Sequence, residues 1–432
     1  MKDNKMKLQL AKGVKDIPSE TKIIKNQIIS KLQQSFERFG FSPLETPIIE
    51  RFETLAAKFA AGTDSDALKE IFKVTDNAER KLALRFDLTV PMARYVAMNK
   101  DLKYPFKRYE VGRVYRDGPI KLGRTREFWQ CDIDIVGAKS MLAEAELLAV
   151  AENFFNSVDI DVKIKVNNRQ ILSGILAQSG IKELEKQEAA IISIDKLDKI
   201  QESGVTKELL EKGFSEKQCV DIFKLIEKGI SLQDLKKKIQ DESAIEGIEK
   251  LEELFANLEG MNLKKVIFDV SLARGLAYYT GTVYEVFSTS GPVTSSIAAG
   301  GRYDDMIASF MNSKQQVPAV GISFGIEPIM EILKSKQSII QKSTARVYLV
   351  PIKTESESLK VATELRNANI NVCVSMGKKG ISKNLAYANS LGIPYTIIIG
   401  EKELENKKLT LRNMESGKEE SLTTEEIIKK LK

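Results

Sequence analysis

The chain is expected to be an α+β protein: an antiparallel sheet carrying a helical insertion, followed by a separate α/β domain. Three observations predict this. From Leu82 to Gly137 apolar and polar residues alternate with a period of two, as in strands that bury one face only. From roughly Asn168 to Met261 the chain turns Lys- and Glu-rich with helical spacing, and the strand pattern resumes at Val266. Beyond a polar stretch, strand and helix patterns alternate to the end. The expected division is 1–332 with its insertion at 168–261, a linker at 333–345, and a second domain at 346–432.

In chain order, Ile23, Ile24, Ile28, Leu32 and Phe36 recur at helical spacing, which predicts an amphipathic helix from Ser19 to Phe39, stopped by Gly40. FSPLETPIIE then runs extended past Pro43 and Pro47. In LRFDLT, Arg85, Asp87 and Thr89 fall on one face of a predicted strand, with Leu84, Phe86 and Leu88 on the other. RYEVGRVYR and EFWQCDIDI read as strands joined by the loop DGPIKLGRTR. In the second, Gln130, Asp132 and Asp134 share a face opposite Trp129, Cys131, Ile133 and Ile135. Such a face fits a solvated sheet surface or the floor of a polar binding site. A helix is expected from Met141 to Phe155. Gly300-Gly301-Arg302-Tyr303-Asp304 follows a small-residue strand, and its glycines fit close ligand approach or plain tight packing. VPAVGISFGIEPIMEIL reads as strand, glycine turn and helix. In the last domain VYLVPI, INVCVS, YTIIIG and KLTLRNM are the expected strands, with helices to Ala368, across Leu385 to Leu391, and at the end.

At 432 residues the chain can hold two or three cores, and 43% apolar content is ordinary for a globular protein. No apolar run nears the roughly 18 residues of a membrane span. The start, MKDNKMKLQL, lacks the apolar segment of a secretory signal. Cys131, Cys219 and Cys373 lie far apart and are odd in number, so reduced thiols and a cytoplasmic setting are expected. A net charge of +6 permits a polyanionic partner without demanding one. Histidine is absent. That excludes Ser-His-Asp and Cys-His catalysis, HExxH metal sites and imidazole general bases. No GxxxxGK(S/T) occurs either, so nucleotide chemistry would rest on arginines, carboxylates and metal ions.

The most telling string is SLARGLAYYTGTVYE, Ser271 to Glu285. Between two β-rich runs, Val266–Val270 and Thr282–Phe287, it sets Arg274, Gly275 and the pair Tyr278-Tyr279. One reading is a backbone pinched against a ligand with a cation and two phenols aimed at it; the other is a buried hairpin with a surface arginine. The loop holding Lys121, Arg124 and Arg126 is a basic strand tip suited to phosphate or nucleic acid, as are many lysine-rich surface turns.

LARGLAYYTG resembles a signature of the histidyl-tRNA synthetases, and the likeness runs from KGVKDIP at Lys12 to the final helix. GFSPLETPIIE resembles class II motif 1, which in that family builds the homodimer interface. LRFDLTVPMARY resembles the family's clamp for the substrate α-amino group. VYRDG with GRTREFWQCDIDIVG resembles motif 2, and AGGRYD a further family signature. GISKNLAYANSLGIPYTIIIGEKEL is similar to the family's anticodon-binding domain. The resemblance implies a class II synthetase antiparallel sheet with an α/β anticodon-binding domain behind it. It further implies a histidine–tRNA ligase that joins L-histidine to tRNA(His), using ATP and Mg2+, through a histidyl-adenylate.

Carried over by residue, the likeness implies that Asp87, Leu88 and Thr89 hold the α-ammonium, whose three donors suit a carboxylate and a hydroxyl. Asp134 and Tyr279 would meet the imidazole, Tyr278 would line the pocket, and Gln130 would contact the amino acid's backbone groups. A carboxylate and a phenol satisfy the donor and acceptor of neutral imidazole, and an apolar competitor would leave both unpaired. Arg116 and Arg274 would face the carboxylate and α-phosphate and, with Gln130, form the catalytic set. Charge that grows on the phosphate is stabilised by fixed guanidinium groups. Phe128 would stack on adenine, Arg124 would reach ATP, and Lys121 and Arg124 would reach the tRNA acceptor end. No metal ligand is assigned.

Three positions depart from the family. Pro328 stands where class II enzymes commonly carry an arginine on the ATP γ-phosphate, so the tail of ATP needs another cation or binds more weakly. A proline there fits the first turn of a helix and no later position. Asp117-Gly118 only partly supplies the acidic residue that motif 2 often sets near the adenine amino group, and Ala277 replaces an acidic residue shown by many relatives. Pro328 keeps open a second reading, a catalytically inactive synthetase-like regulator that binds tRNA or histidine. The retained arginines, Gln130 and pocket residues favour the ligase. The family's relative that regulates histidine biosynthesis lacks the C-terminal domain present here. Absence of histidine fits compositional drift in a Lys- and Ile-rich chain. It also fits selection, since such an enzyme would not depend on its own product.

Overall fold

The computed structural model describes residues 8–56, 66–120, 125–227, 229–274, 278–336, 342–377 and 380–432. The chain divides into two compact units, Met1–Lys15 with Ile28–Ser335 and Asp16–Gln27 with Lys336–Lys432. The strands of the first are β1 (Ser42–Pro43), β2 (Ile49–Arg51), β3 (Lys73–Thr75), β4 (Lys81–Leu84), β5 (Phe106–Tyr115), β6 (Glu127–Val136), β7 (Val162–Asn168), β8 (Val266–Phe268), β9 (Thr282–Ser288), β10 (Ala298–Arg302) and β11 (Ala319–Gly325). Among the described residues, one 8-stranded sheet has the order β1-β5-β6-β11-β10-β9-β7-β8, and β2, β4 and β3 form a small sheet apart. The large sheet is antiparallel except where β1 meets β5 and β7 meets β8. Between β7 and β8 the chain leaves for a run of helices from Arg169 to Gly260, then returns beside the strand it left.

Alternation decides what each face of this sheet does. Register sets Gln130, Asp132 and Asp134 of β6 opposite Gly112, Glu110 and Arg108 of β5, and opposite Gly325, Ser323 and Gly321 of β11. That face is polar. On the other, Phe36 of helix Ser19–Arg38 lies 5.5 Å, ring to ring, from both Tyr109 of β5 and Phe324 of β11. Phe154 of helix Leu142–Ser157 stands 5.6 Å from Phe324. Each buried ring contributes roughly 1.5–3 kcal/mol of apolar burial, so the aromatic face anchors the sheet and leaves the polar face free for chemistry.

For the glycines of β10, packing decides. A side chain at Gly300 would strike the Gly321 carbonyl and the Tyr284 ring, and one at Gly301 would strike Tyr279. Arg302 is likewise internal, with Nε and Nη2 each 2.7 Å from a Glu144 carboxylate oxygen and both residues buried.

Three expectations change. LRFDLT is not one strand: β4 ends at Leu84, and Val90 N donates to Asp87 Oδ1 at 3.0 Å as helix Thr89–Met98 begins. A carboxylate just ahead of free N–H groups, with Pro91 in the first turn, starts a helix there and overrides the alternation. Arg85, Asp87 and Thr89 therefore do not share a strand face. Nor do the runs around SLARGLAYYTG form a hairpin, because β7 lies between β8 and β9. Helix Ile326–Lys336 also extends into the stretch read as a polar linker.

The second unit holds β12 (Val347–Pro351), β13 (Val372–Val374), β14 (Tyr395–Ile399), β15 (Leu409–Asn413) and β16 (Glu419–Leu422), in the order β13-β12-β14-β15-β16. Val347, Leu349, Ile397 and Leu411 pack with Leu365 and Ile427 from its helices. β16 escaped the sequence reading because none of its residues is buried, so this polar edge strand carries no apolar signal.

Glu144→Ala would strand the buried Arg302 guanidinium without its bidentate partner. We expect a loss of about 3–5 kcal/mol, read as a lower urea midpoint for unfolding of the first unit.

Candidate active site

The polar face is organised around a buried guanidinium. Arg108 Nη2 lies 2.6 Å from Asp134 Oδ2 and donates to Leu88 O at 3.1 Å, and Nη1 is 3.8 Å from Glu110 Oε2. The Asp134 contact is an ion pair off the hydrogen-bonding angle, since Oδ2 has no hydrogen-bond partner among the described residues. Arg85 donates from Nη1 to Glu110 Oε1 and to Thr46 O, both at 2.7 Å, and from Nε to Arg113 O at 2.9 Å. Tyr303 donates its phenol O–H to Asp134 Oδ1. The two arginines thus tie β4, β5, β6 and the Asp87-Leu88-Thr89 turn together, and Tyr303 adds the end of β10.

Burial pushes Asp134 above the usual carboxylate range against the pull of Arg108 and the Tyr303 hydrogen bond. Asp132 is pushed up to about 7, chiefly by burial; Arg108 opposes this, while the charges of Asp134 and Asp87 add to it. Gln130 donates from Nε2 to Ser323 Oγ at 3.2 Å. Gln130 Oε1, Asp132 Oδ1, Asp134 Oδ2 and Arg108 Nε and Nη1 are buried without hydrogen-bond partners among the described residues. Buried polar atoms are nearly always paired, so this concentration on neighbouring rows makes the patch the candidate site.

The remaining expected residues converge on it. The Asp134 carboxylate lies over Gly321, and the Tyr279 ring lies over Gly301 on the next strand, directly across the ladder. Tyr278 and Tyr279 have ring centroids 4.5 Å apart, and Tyr278 meets Tyr303 edge-on at 6.2 Å. Burial pushes the Tyr278 phenol up to about 12, against the hydrogen bond to Tyr279 and the charge of Arg274. Arg274 Nη1 is 2.6 Å from Glu285 Oε1, and its guanidinium sits 5.9 Å from the Tyr279 ring. Arg116 donates from Nε to Phe86 O at 3.1 Å and stacks 5.0 Å from the Phe128 ring. Phe128 shares the face of Gln130, Asp132 and Asp134. Lys121, Arg124 and Ala277 lie outside the described residues.

Sequence reasoning missed Arg108, Glu110, Tyr303 and Glu285 as parts of the site. A signal existed for two of them: Arg108 and Glu110 alternate with Tyr109 and Val111, which puts them on the polar side of β5. Pro328 is the third residue of helix Ile326–Lys336, inside its first turn, with its ring against Gly325. The Asp117 carboxylate is held by Arg126 Nη1 at 2.9 Å. Among the described residues no group of three or more His, Cys, Asp or Glu side chains is arranged to hold a metal ion.

A family model described as histidyl-tRNA synthetase matches residues 13–329, and one described as anticodon binding domain matches 346–432. The chain belongs to the histidyl-tRNA synthetase family. Among members of the family, it is 42% identical to Histidine--tRNA ligase 1 of Bacillus cereus over 96% of this chain and 95% of that one. It is 36% identical to Histidine--tRNA ligase of Clostridium tetani over the full length of both. The crystal structure of histidyl-tRNA synthetase from Nostoc superposes with a TM-score of 0.87 at 30% identity, covering 99% of this chain and 100% of that one. Family membership accounts for the antiparallel sheet with its helical insertion and separate C-terminal domain, as the resemblance implied.

The raised Asp132 has a consequence for stability. Its folded form keeps a proton up to about pH 7, whereas the unfolded carboxyl loses it near its ordinary value of 3.8. The native state thus binds more protons between these values, and stability falls as pH rises through that window, by at most about 1.4 kcal/mol per pH unit. Asp132→Asn should remove this slope, so that variant minus wild-type unfolding free energy rises from pH 4 to 7 and is flat above. Parallel urea titrations at each pH measure it.

Proposed function

We propose that this chain is a histidine–tRNA ligase that activates L-histidine with ATP as histidyl-adenylate and transfers it to tRNA(His). The observation that carries this reading is the Asp134 carboxylate and the Tyr279 ring seated over facing glycines, Gly321 and Gly301. Between them they offer an acceptor and a hydroxyl, the complement of a neutral imidazole. Asp87 at the start of helix Thr89–Met98, with Thr89, receives the α-ammonium, and Gln130 orients the amino acid's polar groups. The histidine carboxylate attacks the α-phosphate, the bond to pyrophosphate breaks, and Arg116 and Arg274 stabilise the charge that builds on the phosphate oxygens. Phe128 stacks on the adenine, its ring already braced by Arg116.

Mg2+ is usually held by substrate phosphates with one or two carboxylates rather than by an all-protein cage. The lack of a three-ligand cluster among the described residues fits an ion that arrives on ATP and there neutralises phosphate charge. Residues 1–332 form the catalytic part and 346–432 the anticodon-binding part. The enzyme works in the cytoplasm as a homodimer through the motif 1 segment; Ile48 and Ile49, 41% and 51% exposed in that segment, support the interface. Lys121 and Arg124 serve the tRNA acceptor end. The rival regulator rested on Pro328. Its seat in the first helical turn leaves β11 and Ser323 in register with β6, so the proline leaves the amino acid side of the site intact, and the retained Arg116 and Arg274 favour the ligase.

ATP–pyrophosphate exchange with each amino acid in turn tests the reading. Histidine alone should support exchange, and Arg274→Ala should lower it by about 10²-fold or more. A folded protein that binds tRNA but exchanges with no amino acid would move the assignment to the regulator.

A further inference from the structure

We infer that Glu285 is a positioning residue for the adenylation step, fixing the direction of the Arg274 side chain; this rests on the ligase reading above. The described flanks of the segment that carries Arg274 are held by bonds that do not involve Glu285. On the first flank, Asn167 Nδ2 donates to Val270 O and Leu272 O, both at 2.9 Å, and Asp269 N donates to Val166 O at 3.0 Å. On the second, Arg169 N donates to Gly281 O and Thr280 N to Arg302 O, both at 2.8 Å. Those flanks are thus pinned by backbone and amide bonds, and the long arginine side chain is what Glu285 engages. Glu285 Oε1 takes Arg274 Nη1 at 2.6 Å, with both side chains under one-fifth exposed at 19% and 18%. Glu285 stands on β9, in register with Ala299, which faces Ser323 and then Asp132, so the arginine is referenced to the row that holds the amino acid site. The cation next to it in the ladder, Lys165, is engaged by Asp198 and Asp269 at 2.9 Å each, so the Glu285 carboxylate meets Arg274 as its charged partner, with Ser296 Oγ donating to the same Oε1 at 3.5 Å. A guanidinium held this way is aimed before substrate arrives, and a misplacement of about 1 Å can cost on the order of 10²-fold in rate.

The test is a double-mutant cycle on histidine-dependent ATP–pyrophosphate exchange, with Glu285→Gln, Arg274→Lys and the pair. Glu285→Gln keeps the shape but loses the charge. It should lower kcat by roughly 10- to 100-fold with the melting temperature held, and should add little to Arg274→Lys. Glu285→Asp, which keeps the charge on a shorter arm, should recover part of the rate. If the two substitutions multiply, or if Glu285→Gln stays within about 3-fold of wild type while Arg274→Lys falls, each compared as a free-energy difference, Glu285 does not position Arg274. If Arg274→Lys itself leaves exchange intact, the role given to Arg274 fails instead.

A separate observation concerns the missing histidines. Histidine and glutamine codons share their first two bases. Drift in base composition acts on that shared pair alike, yet glutamine recurs from Gln9 to Gln341 beside 0 histidines. Drift therefore does not account for the gap. From this we infer that the chain is kept free of histidine so that it can be made when histidyl-tRNA has run out, and so restart charging. A reconstituted translation mixture lacking any histidine–tRNA ligase, but holding histidine, ATP and uncharged tRNA(His), tests this. Wild-type message should yield full-length chain and then charged tRNA(His). Message for Lys31→His/Lys217→His, both exposed positions, should yield neither until purified wild-type protein is added. Full-length wild-type product without charging, from a protein that charges the same tRNA when purified, would overturn the inference. So would equal yield from the histidine-bearing message. Failure of the purified protein to charge would point to the ligase reading itself.

Discussion

Arg108, a guanidinium at 0% exposure, is the charge around which the catalytic unit is arranged. A cation taken wholly out of water is tolerated only where carboxylates and carbonyls replace the solvent. Here the replacements come from β6 through Asp134, from its own strand through Glu110, and from the turn before helix Thr89–Met98 through Leu88 O. Two of these three acceptors also lie at proposed amino acid contacts. Asp134 is proposed to meet the imidazole, and Leu88 is flanked by Asp87 and Thr89. The same network that makes burial of Arg108 affordable therefore sets the shape of the pocket, and Arg85 extends it by bridging Glu110 to Thr46 and Arg113.

The electrostatics of the patch follow from this arrangement. Asp132 and Asp134 lie two residues apart on one strand, share one guanidinium, and are both held above the usual carboxylate range by burial. A site with more carboxylate than cation is suited to an ammonium group. The arginines proposed to meet the phosphate have other surroundings: Arg116 and Arg274 lie beside aromatic rings, whose faces stabilise a cation, and Arg274 is in addition paired with Glu285. The two ends of the proposed reaction, an amino acid's ammonium and a phosphate, thus meet surfaces of different character.

Much of this was legible in the sequence wherever one face of an element is buried. QCDIDI declared its two faces by strict alternation, and helix Ser19–Arg38 declared its stripe by spacing. The turn at Asp87 was misread because a capping carboxylate and an alternating polar residue look alike over a few positions; only Pro91 distinguished them. β16 was silent because a polar edge strand has no face to bury. Arg108 and Glu110 showed the right parity but not their pairing, since partners far apart in sequence across a ladder, Asp134 for Arg108 and Asp132 for Glu110, have no local signature. Which glycine served packing, and not a ligand, required knowing that Tyr284 donates to the Gly321 carbonyl across two strands at 2.8 Å.

The aromatic cluster behind the sheet and the charged network in front share the same strands. Phe324 and Ser323 are adjacent, as are Cys131 and Asp132, and each pair points to opposite faces. Adding or deleting one residue within β6 or β11 would exchange the faces, driving carboxylates into the cluster around Phe36 and Phe154 and turning rings toward the substrate. Such a change is not a local defect that a later substitution could repair. Over evolutionary time these strands can vary in composition but not in length, and growth of the chain is confined to the connections. The largest of these, the helical run between β7 and β8, departs from the sheet and rejoins it without disturbing a single register.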